Sequence, residues 1–81
     1  MTSQMLRKKL ESMGWKVGSV RRQRNGQIKA YVVVKNKVDV RVDEFCYKPN
    51  RPNEIEAFHH LSTADGWSQT SKFLYTLELN G

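Results

Sequence analysis

Apolar residues near the start of the chain recur at the three- and four-residue spacing of an amphipathic α-helix. They are Leu6, Leu10 and Met13, and charged or polar residues fill the other face. Thr2 or Ser3 can cap this segment, because either side-chain oxygen can accept a hydrogen bond from an unpaired amide of the first turn. Gly14 then suits the left-handed conformation that commonly follows a helix. The pattern predicts an N-terminal helix of about three turns that packs its apolar stripe on a sheet.

The next segment predicts a first strand, from Trp15 to about Gln23. Its apolar residues do not share one parity, since Trp15 and Val17 are offset from Val20. Gly18 lies between them and is the expected place for a bulge or bend, which would switch the face that points to the core.

Asn25-Gly26 separates this strand from the next and is a strong hairpin signal, because both residues tolerate positive φ. The turn can close in two ways. A two-residue loop pairs Arg24 with Gln27. A three-residue loop, which includes Arg24 and a bulged glycine, pairs Arg22 with Ile28. The residue pattern leaves both closures open.

The second strand has two distinct faces. One face carries Ile28, Ala30, Val32 and Val34, and the other carries Lys29, Tyr31, Val33 and Lys35. A turn at Lys35-Asn36-Lys37 leads to a third strand, Val38 to Asp43, in which apolar and charged residues alternate. We prefer the register that keeps the valines on one face, because a one-residue slip would turn them outward. It pairs Val34 with Val38, Val32 with Val40, and Ala30 with Val42. It also sets Tyr31 across from Arg41 on the outer face.

The C-terminal third predicts helices. Phe45 to Pro52 is expected to be a connector, because its two prolines disfavour helix and interior strand. Asn53 and Glu56 form a capping-box pattern that predicts the start of a helix. The apolar stripe of that helix is Ile55, Phe58 and Leu61. Residues 62–66 break it, and residues 67–79 are predicted to form a further helix. That last segment also alternates like a strand at Phe73, Tyr75, Leu77 and Leu79.

Together these elements predict one small α+β domain that spans residues 1–81. It is a three-stranded antiparallel meander flanked by an N-terminal helix and one or two C-terminal helices, in the order α-β-β-β-α. The helices would cover the valine face of the sheet. A domain of this size is only marginally stable alone, so a homodimer is possible.

The charge distribution suggests a partner. The chain has a formal net charge of +6, and residues 1–24 carry seven basic residues against Glu11 alone. After Pro52 the balance is acidic. A basic N-terminal segment of this kind predicts an anionic partner, of which nucleic acid is the commonest. The alternative is an ordinary domain whose lysines face water.

The single cysteine and the hydropathy pattern bear on location. Cys46 cannot form an internal disulfide, which fits a reducing cytoplasm. No apolar run is long enough to span a bilayer, and the first residues do not form the apolar region of a signal peptide. We therefore expect a soluble, cytoplasmic protein without a membrane partner.

Catalytic and metal-binding patterns are weak. Cys46, His59, His60 and Asp65 are candidate ligands, but the chain has no Cys-x-x-Cys or His-x-x-x-His spacing. Cys46 with either histidine is the one conceivable nucleophilic pair, and neither histidine has an evident orienting carboxylate. We expect no metal, no cofactor and no enzymatic activity.

The predicted nucleic-acid site is the basic hairpin together with the outer face of the sheet. Phosphate contacts are expected from Arg21, Arg22, Arg24, Lys29, Lys35 and Lys37, and outer-face contacts from Arg41 and Tyr31. The ring of Tyr31 could stack on an unpaired base. Three amides of the hairpin, Gln23, Asn25 and Gln27, could reach base edges or sugar hydroxyls.

The predicted order of one helix, three strands and one helix resembles the double-stranded-RNA-binding domain. That family opens its last helix with a lysine cluster, whereas this chain has Arg51-Pro52-Asn53-Glu54-Ile55-Glu56 there, which is net acidic. The segment from Arg22 to Leu61 is also similar in element order to the arm-binding domains of phage-type integrases, which place a sheet in the major groove. Both resemblances are fold-level analogies that imply a nucleic-acid partner.

These patterns predict a small, non-enzymatic regulatory protein that binds DNA or RNA through the phosphate backbone. The alternative is a protein-binding inhibitor or adaptor, of a phage or mobile-element type, that targets an acidic surface of a host nucleic-acid enzyme.

Overall fold

A computed structural model describes residues 1–35, 37, 40–63 and 66–79 of the chain. These residues form α1 (Ser3–Ser12), β1 (Val17–Arg22), β2 (Ile28–Lys35), β3 (Val40–Tyr47), β4 (Glu54–Thr63) and β5 (Gly66–Glu78). Each strand pairs antiparallel with the next, so the sheet is a five-stranded meander. Helix α1 packs against β1 and β2 on one face, which we call the inner face. We call the opposite face, which no described element covers, the outer face. Predictions at Asn36, Val38, Asp39 and Asp65 lie outside the described residues.

The predicted N-terminal helix is confirmed. Oγ1 of Thr2 accepts a hydrogen bond at 3.1 Å from an amide of the first turn, and Gly14 adopts a φ of +93° after the last turn. Leu6 and Leu10 are fully buried. Met13 is 44% exposed, because it lies in the turn that follows α1. Two of the three predicted stripe residues therefore anchor the helix to the sheet.

The first hairpin closes in the second of the two predicted ways. Arg22 pairs with Ile28, and Gly26 adopts a φ of +87° in the three-residue loop. The predicted bulge is also present, since the register of β1 shifts between residues 17 and 20. A Cβ at Gly18 would lie 3.2 Å from a backbone carbonyl oxygen of β2, so the two strands approach closely there.

The predicted faces of β2 are confirmed. Ile28, Ala30 and Val32 are at most 2% exposed and point to the inner face. Their partners in the core are Leu6, Leu10, Phe45, Tyr47, Ile55 and Ala57. Trp15 packs against this core, with its ring centroid 5.4 Å from that of Phe45. The core thus lies between α1 and the middle of the sheet.

The predicted register between β2 and β3 is wrong. Ala30 pairs with Phe45 rather than with Val42, which shifts β3 by three residues. Because side chains alternate between faces, an odd shift turns Val42 to the outer face. It brings Phe45 and Tyr47 to the inner face, where they are 0% and 8% exposed. Burying two aromatic rings removes more apolar surface from water than burying valines, which explains this register.

The predicted C-terminal helices are also wrong, because these segments form β4 and β5. Ile55 and Ala57 are buried in the core, whereas Glu54 and Glu56, which alternate with them, are only partly buried. This two-residue alternation competes in the sequence with the helical spacing of the apolar residues. The strand form prevails because β3 and β5 pair with the backbone of β4 on both sides. The predicted connector starts later than expected, since β3 runs to Tyr47.

The element order behind both family resemblances is therefore not the order found. Each resemblance depends on a helix after the third strand, and two further strands occupy that part of the described chain. The fold is a small α+β architecture with one helix on a five-stranded meander. None of the described residues belongs to a helix that is long and apolar enough to cross a membrane.

Candidate nucleic-acid interface

Four of the predicted phosphate-contacting residues lie together at the hairpin end of β1. They are Arg21, Arg22, Arg24 and Lys29, and we call them the β1 edge cluster. Arg21 pairs with Lys29 across the first hairpin, which places both side chains on the outer face. Arg22 projects to the opposite side of the strand, and Arg24 lies in the turn. The three arginines are exposed, whereas Lys29 is partly buried.

The edge position of β1 explains why these side chains reach solvent. β1 pairs only with β2, so its other edge has no strand partner, and the side chain of Arg7 donates hydrogen bonds to the carbonyl oxygens of Val17 and Gly18. Charged residues on such an edge hinder pairing with another chain and keep the edge hydrated. Among the described residues, no carboxylate forms an ion pair with a member of the cluster. The charge of the cluster is therefore available to a ligand.

Most cations on the far side of the sheet are paired instead. The pairs are Arg41 with Asp43 at 3.2 Å, Lys48 with Glu56 at 2.8 Å, and Arg51 with Glu54 at 3.5 Å. Lys72 of β5 is exposed and has no such partner in the described part of the chain. Free positive charge is consequently denser at β1 than on β3 to β5.

The other predicted cations do not join the cluster. Lys37 is exposed but follows β2, at the end of that strand away from the first hairpin. Lys35 is the last residue of β2, at the same far end. Arg41 shares its face of β3 with Asp43, and this is the inner face. The predicted set is thus divided between two ends and two faces of the sheet.

Tyr31 lies on the outer face opposite Glu44, not opposite Arg41 as predicted. Burial raises the pKa of the Tyr31 phenol, and the charge of Glu44 and a hydrogen bond to that carboxylate raise it further. His60 also contacts this pair. Its Nε2 lies 3.3 Å from Oε1 of Glu44, and its ring centroid lies 6.2 Å from that of Tyr31. The ring of Tyr31 is therefore held in place rather than free to swing.

Sequence reasoning missed the carboxylate partners of both histidines. Nδ1 of His59 lies 3.4 Å from Oδ1 of Asp43 on the inner face, and His60 meets Glu44 on the outer face. The prediction that neither histidine has an orienting carboxylate is wrong. The sequence signal for these two contacts is the acidic pair Asp43-Glu44 and the later pair His59-His60. It is informative only when both segments are assigned to paired strands.

Cys46 does not form the nucleophilic pair that the sequence allowed. Its Sγ lies 3.8 Å from Oε1 of Gln27 and contacts neither histidine in the described structure. Burial raises the pKa of the Cys46 thiol, which lowers the fraction of reactive thiolate at neutral pH. Among the described residues, no three candidate ligands converge on a metal site. The absence of metal, cofactor and enzymatic activity stays a prediction.

Comparisons with protein-family models, with curated proteins and with solved structures found no match. Fold and charge define a small basic α+β protein whose edge strand, β1, carries cations without an ion-pair partner among the described residues. Its function is therefore inferred from its own residues and geometry.

Proposed function

We propose that the protein binds nucleic acid without catalysing a reaction, and that the β1 edge cluster contacts the phosphate backbone. One observation carries this proposal. The arginines at the hairpin end of β1 are exposed and have no ion-pair partner among the described residues, whereas three of the four cations between residues 40 and 78 form ion pairs with carboxylates. Guanidinium groups in this state can form bidentate hydrogen bonds to phosphate oxygens. Binding through them releases counterions, which makes the affinity depend on salt.

The hairpin also limits which neutral side chains can read the ligand. Oδ1 of Asn25 accepts a hydrogen bond from the amide of Gln27 at 3.0 Å. Oε1 of Gln27 faces the thiol of Cys46. Two of the three predicted base-reading amides are therefore engaged within the protein, and Gln23 remains exposed between two arginines of the cluster. We expect affinity to come chiefly from phosphate contacts rather than from base edges.

The double substitution Arg22→Gln with Arg24→Gln tests this proposal. Each lost phosphate contact lowers the slope of log affinity against log salt by roughly 0.7 to 0.9, so the double variant should lose roughly 1.4 to 1.8. Fluorescence anisotropy with labelled oligonucleotides across a salt series measures the slope. The matched control, Lys37→Gln with Arg51→Gln, removes the same charge outside the cluster and should change the slope much less. Equal changes in both variants would contradict the proposal.

The predicted alternative, binding to an acidic protein surface, would use the same exposed arginines. A pull-down from lysate before and after nuclease treatment distinguishes binding to nucleic acid from binding to a protein. Loss of bound partners after nuclease supports nucleic acid. A protein band that persists, together with no measurable oligonucleotide binding, would favour an inhibitor or adaptor instead.

We place this function in the cytoplasm. Cys46 is free and buried, so the fold does not depend on an oxidising compartment.

A further inference from the structure

We infer that the outer face of the sheet is a stacking platform for a single strand of DNA or RNA, an inference that rests on the function proposed above. Three aromatic residues lie in one row across this face. Tyr31 of β2 is opposite Glu44 of β3. Glu44 is also opposite Phe58 of β4, which in turn is opposite Phe73 of β5. Directly opposed residues point to the same face, so the register alone aligns three rings over four strands.

The rings of this face form two contact pairs. The centroids of Phe58 and Phe73 lie 5.7 Å apart with their planes at 72°, and those of Tyr31 and His60 lie 6.2 Å apart at 45°. Phe73 is 51% exposed. A half-exposed phenyl ring contributes little to the core, which lies on the inner face. It offers π-surface on which an unpaired base can stack.

The charges of the outer face favour an anionic occupant. Glu44 is only 7% exposed and meets His60, and Glu56 is held in an ion pair at 2.8 Å. Glu54 pairs with Arg51 at 3.5 Å, whereas Glu78, which is opposite Glu54 on this face, is exposed and forms no ion pair among the described residues. Arg21 and Lys29 lie on the same face and have no carboxylate partner among the described residues. These two unpaired cations lie beside the aromatic row at the β1 side of the sheet, whereas Glu78 is the last residue of β5, five positions after Phe73.

A single strand suits this arrangement better than a duplex does. Its bases can stack on protein rings while its backbone follows the cations. The bases of a duplex already stack on each other and present only their edges. Four strand spacings separate β1 from β5, which is about 19 Å at about 4.8 Å for each spacing. A backbone that enters at Arg21 and Lys29 can therefore carry several bases across the row.

The substitution Phe73→Leu tests the platform, because it removes a ring and keeps an exposed apolar side chain. We expect the affinity for a short oligothymidine or oligouridine to fall by roughly 5- to 150-fold, the range for loss of one base–aromatic stack. Affinity for a duplex should stay unchanged. Leu74→Ala alters an exposed apolar neighbour in the same strand and is the matched control, which should change neither affinity. Fluorescence anisotropy at constant salt measures the affinities of the unchanged protein and of both variants for the single strand and for the duplex.

A second measurement uses the unchanged protein. Ring protons of Phe58 and Phe73 should shift upfield in NMR spectra when oligothymidine is added, because a stacked base shields them. If the arginine double variant loses affinity while Phe73→Leu changes nothing and the ring signals stay in place, the platform is wrong and the edge-cluster proposal stands. If the unchanged protein binds neither single strands nor duplex, the proposed function itself fails.

Discussion

Asp43 and His59 face each other across β3 and β4, with Oδ1 and Nδ1 3.4 Å apart, although Asp43 is only 1% exposed. Their sequence neighbours, Glu44 and His60, form the same kind of pair at 3.3 Å on the opposite face. Successive side chains of a strand alternate between faces, so two adjacent acids can match two adjacent histidines with one pair on each side. The two pairs connect β3 to β4 on both faces of the sheet.

The inner pair makes Asp43 important for stability. We expect Asp43→Asn to lower the free energy of unfolding by roughly 2 kcal/mol, because hydrogen bonds to a buried charge contribute about 1.5–3 kcal/mol. Arg41 contributes little to this loss of stability, since its side chain is 46% exposed and solvent screens its ion pair with Asp43. Urea unfolding monitored by tryptophan fluorescence measures the change. Glu78→Gln, at an exposed acid of β5, is the control and should stay within about 0.5 kcal/mol. Similar losses in both variants would show that Asp43 has no special role.

Two glycines with positive φ allow a matched comparison. Gly14 and Gly26 have φ values of +93° and +87°, so alanine at either position pays about 1–2 kcal/mol for the left-handed conformation. A Cβ at Gly14 would meet no atom within 4 Å, whereas one at Gly26 would lie 3.1 Å from Cγ of Pro49. We therefore expect Gly26→Ala to lower the free energy of unfolding more than Gly14→Ala does. Thermal or urea unfolding measures both, and a larger loss for Gly14→Ala would contradict the packing of the hairpin against Pro49.

Tyr31 predicts how stability changes at alkaline pH. The folded state raises the pKa of this phenol above its ordinary value of 10.0, so the unfolded chain loses the proton first as pH rises. Above pH 10 the unfolded state binds fewer protons than the folded state, and the free energy of unfolding falls. Tyr31→Phe removes this dependence. The stability advantage of the unchanged protein over the variant should be complete well below pH 10 and should narrow as the pH rises above 10.0, through the raised pKa of the folded state.

Urea unfolding at several pH values measures that difference, and other titrating groups largely cancel because both proteins contain them. Parallel curves for the two proteins would mean that the environment of Tyr31 does not favour its protonated form.

Local signals in the sequence predicted the first half of the fold well. The cap at Thr2, the left-handed Gly14 and the turn at Asn25-Gly26 each depend on residues close in the chain, and each is found. The alternation of β2 is equally local, since four apolar residues there share one parity. These features follow from backbone sterics and short-range hydrogen bonds, which sequence reports directly.

The prediction for the second half of the fold was wrong because the local sequence patterns there fit both a helix and a strand. Ile55 and Phe58 fit a helical stripe, but Ile55 and Ala57 fit a strand equally well, and pairing with β3 and β5 decided between them. The register of β3 depended on whether valines or Phe45 and Tyr47 would meet α1. That choice involves residues far apart in the chain.

The candidate site shows the same division. The sequence located the basic hairpin, and Arg21, Arg22, Arg24 and Lys29 do lie together at one end of β1. It could not show that Arg41 lies on the other face with Asp43, because that placement follows from the register.

By itself, then, the sequence determined the N-terminal helix, the first hairpin and the location of its positive charge, since each is set by neighbouring residues. Only the tertiary structure decided which cations are neutralised, which rings share the outer face and whether the last third is helix or strand. Those outcomes depend on strand pairing and on the burial of aromatic rings between distant segments, where several local patterns are close in energy and long-range contacts select one.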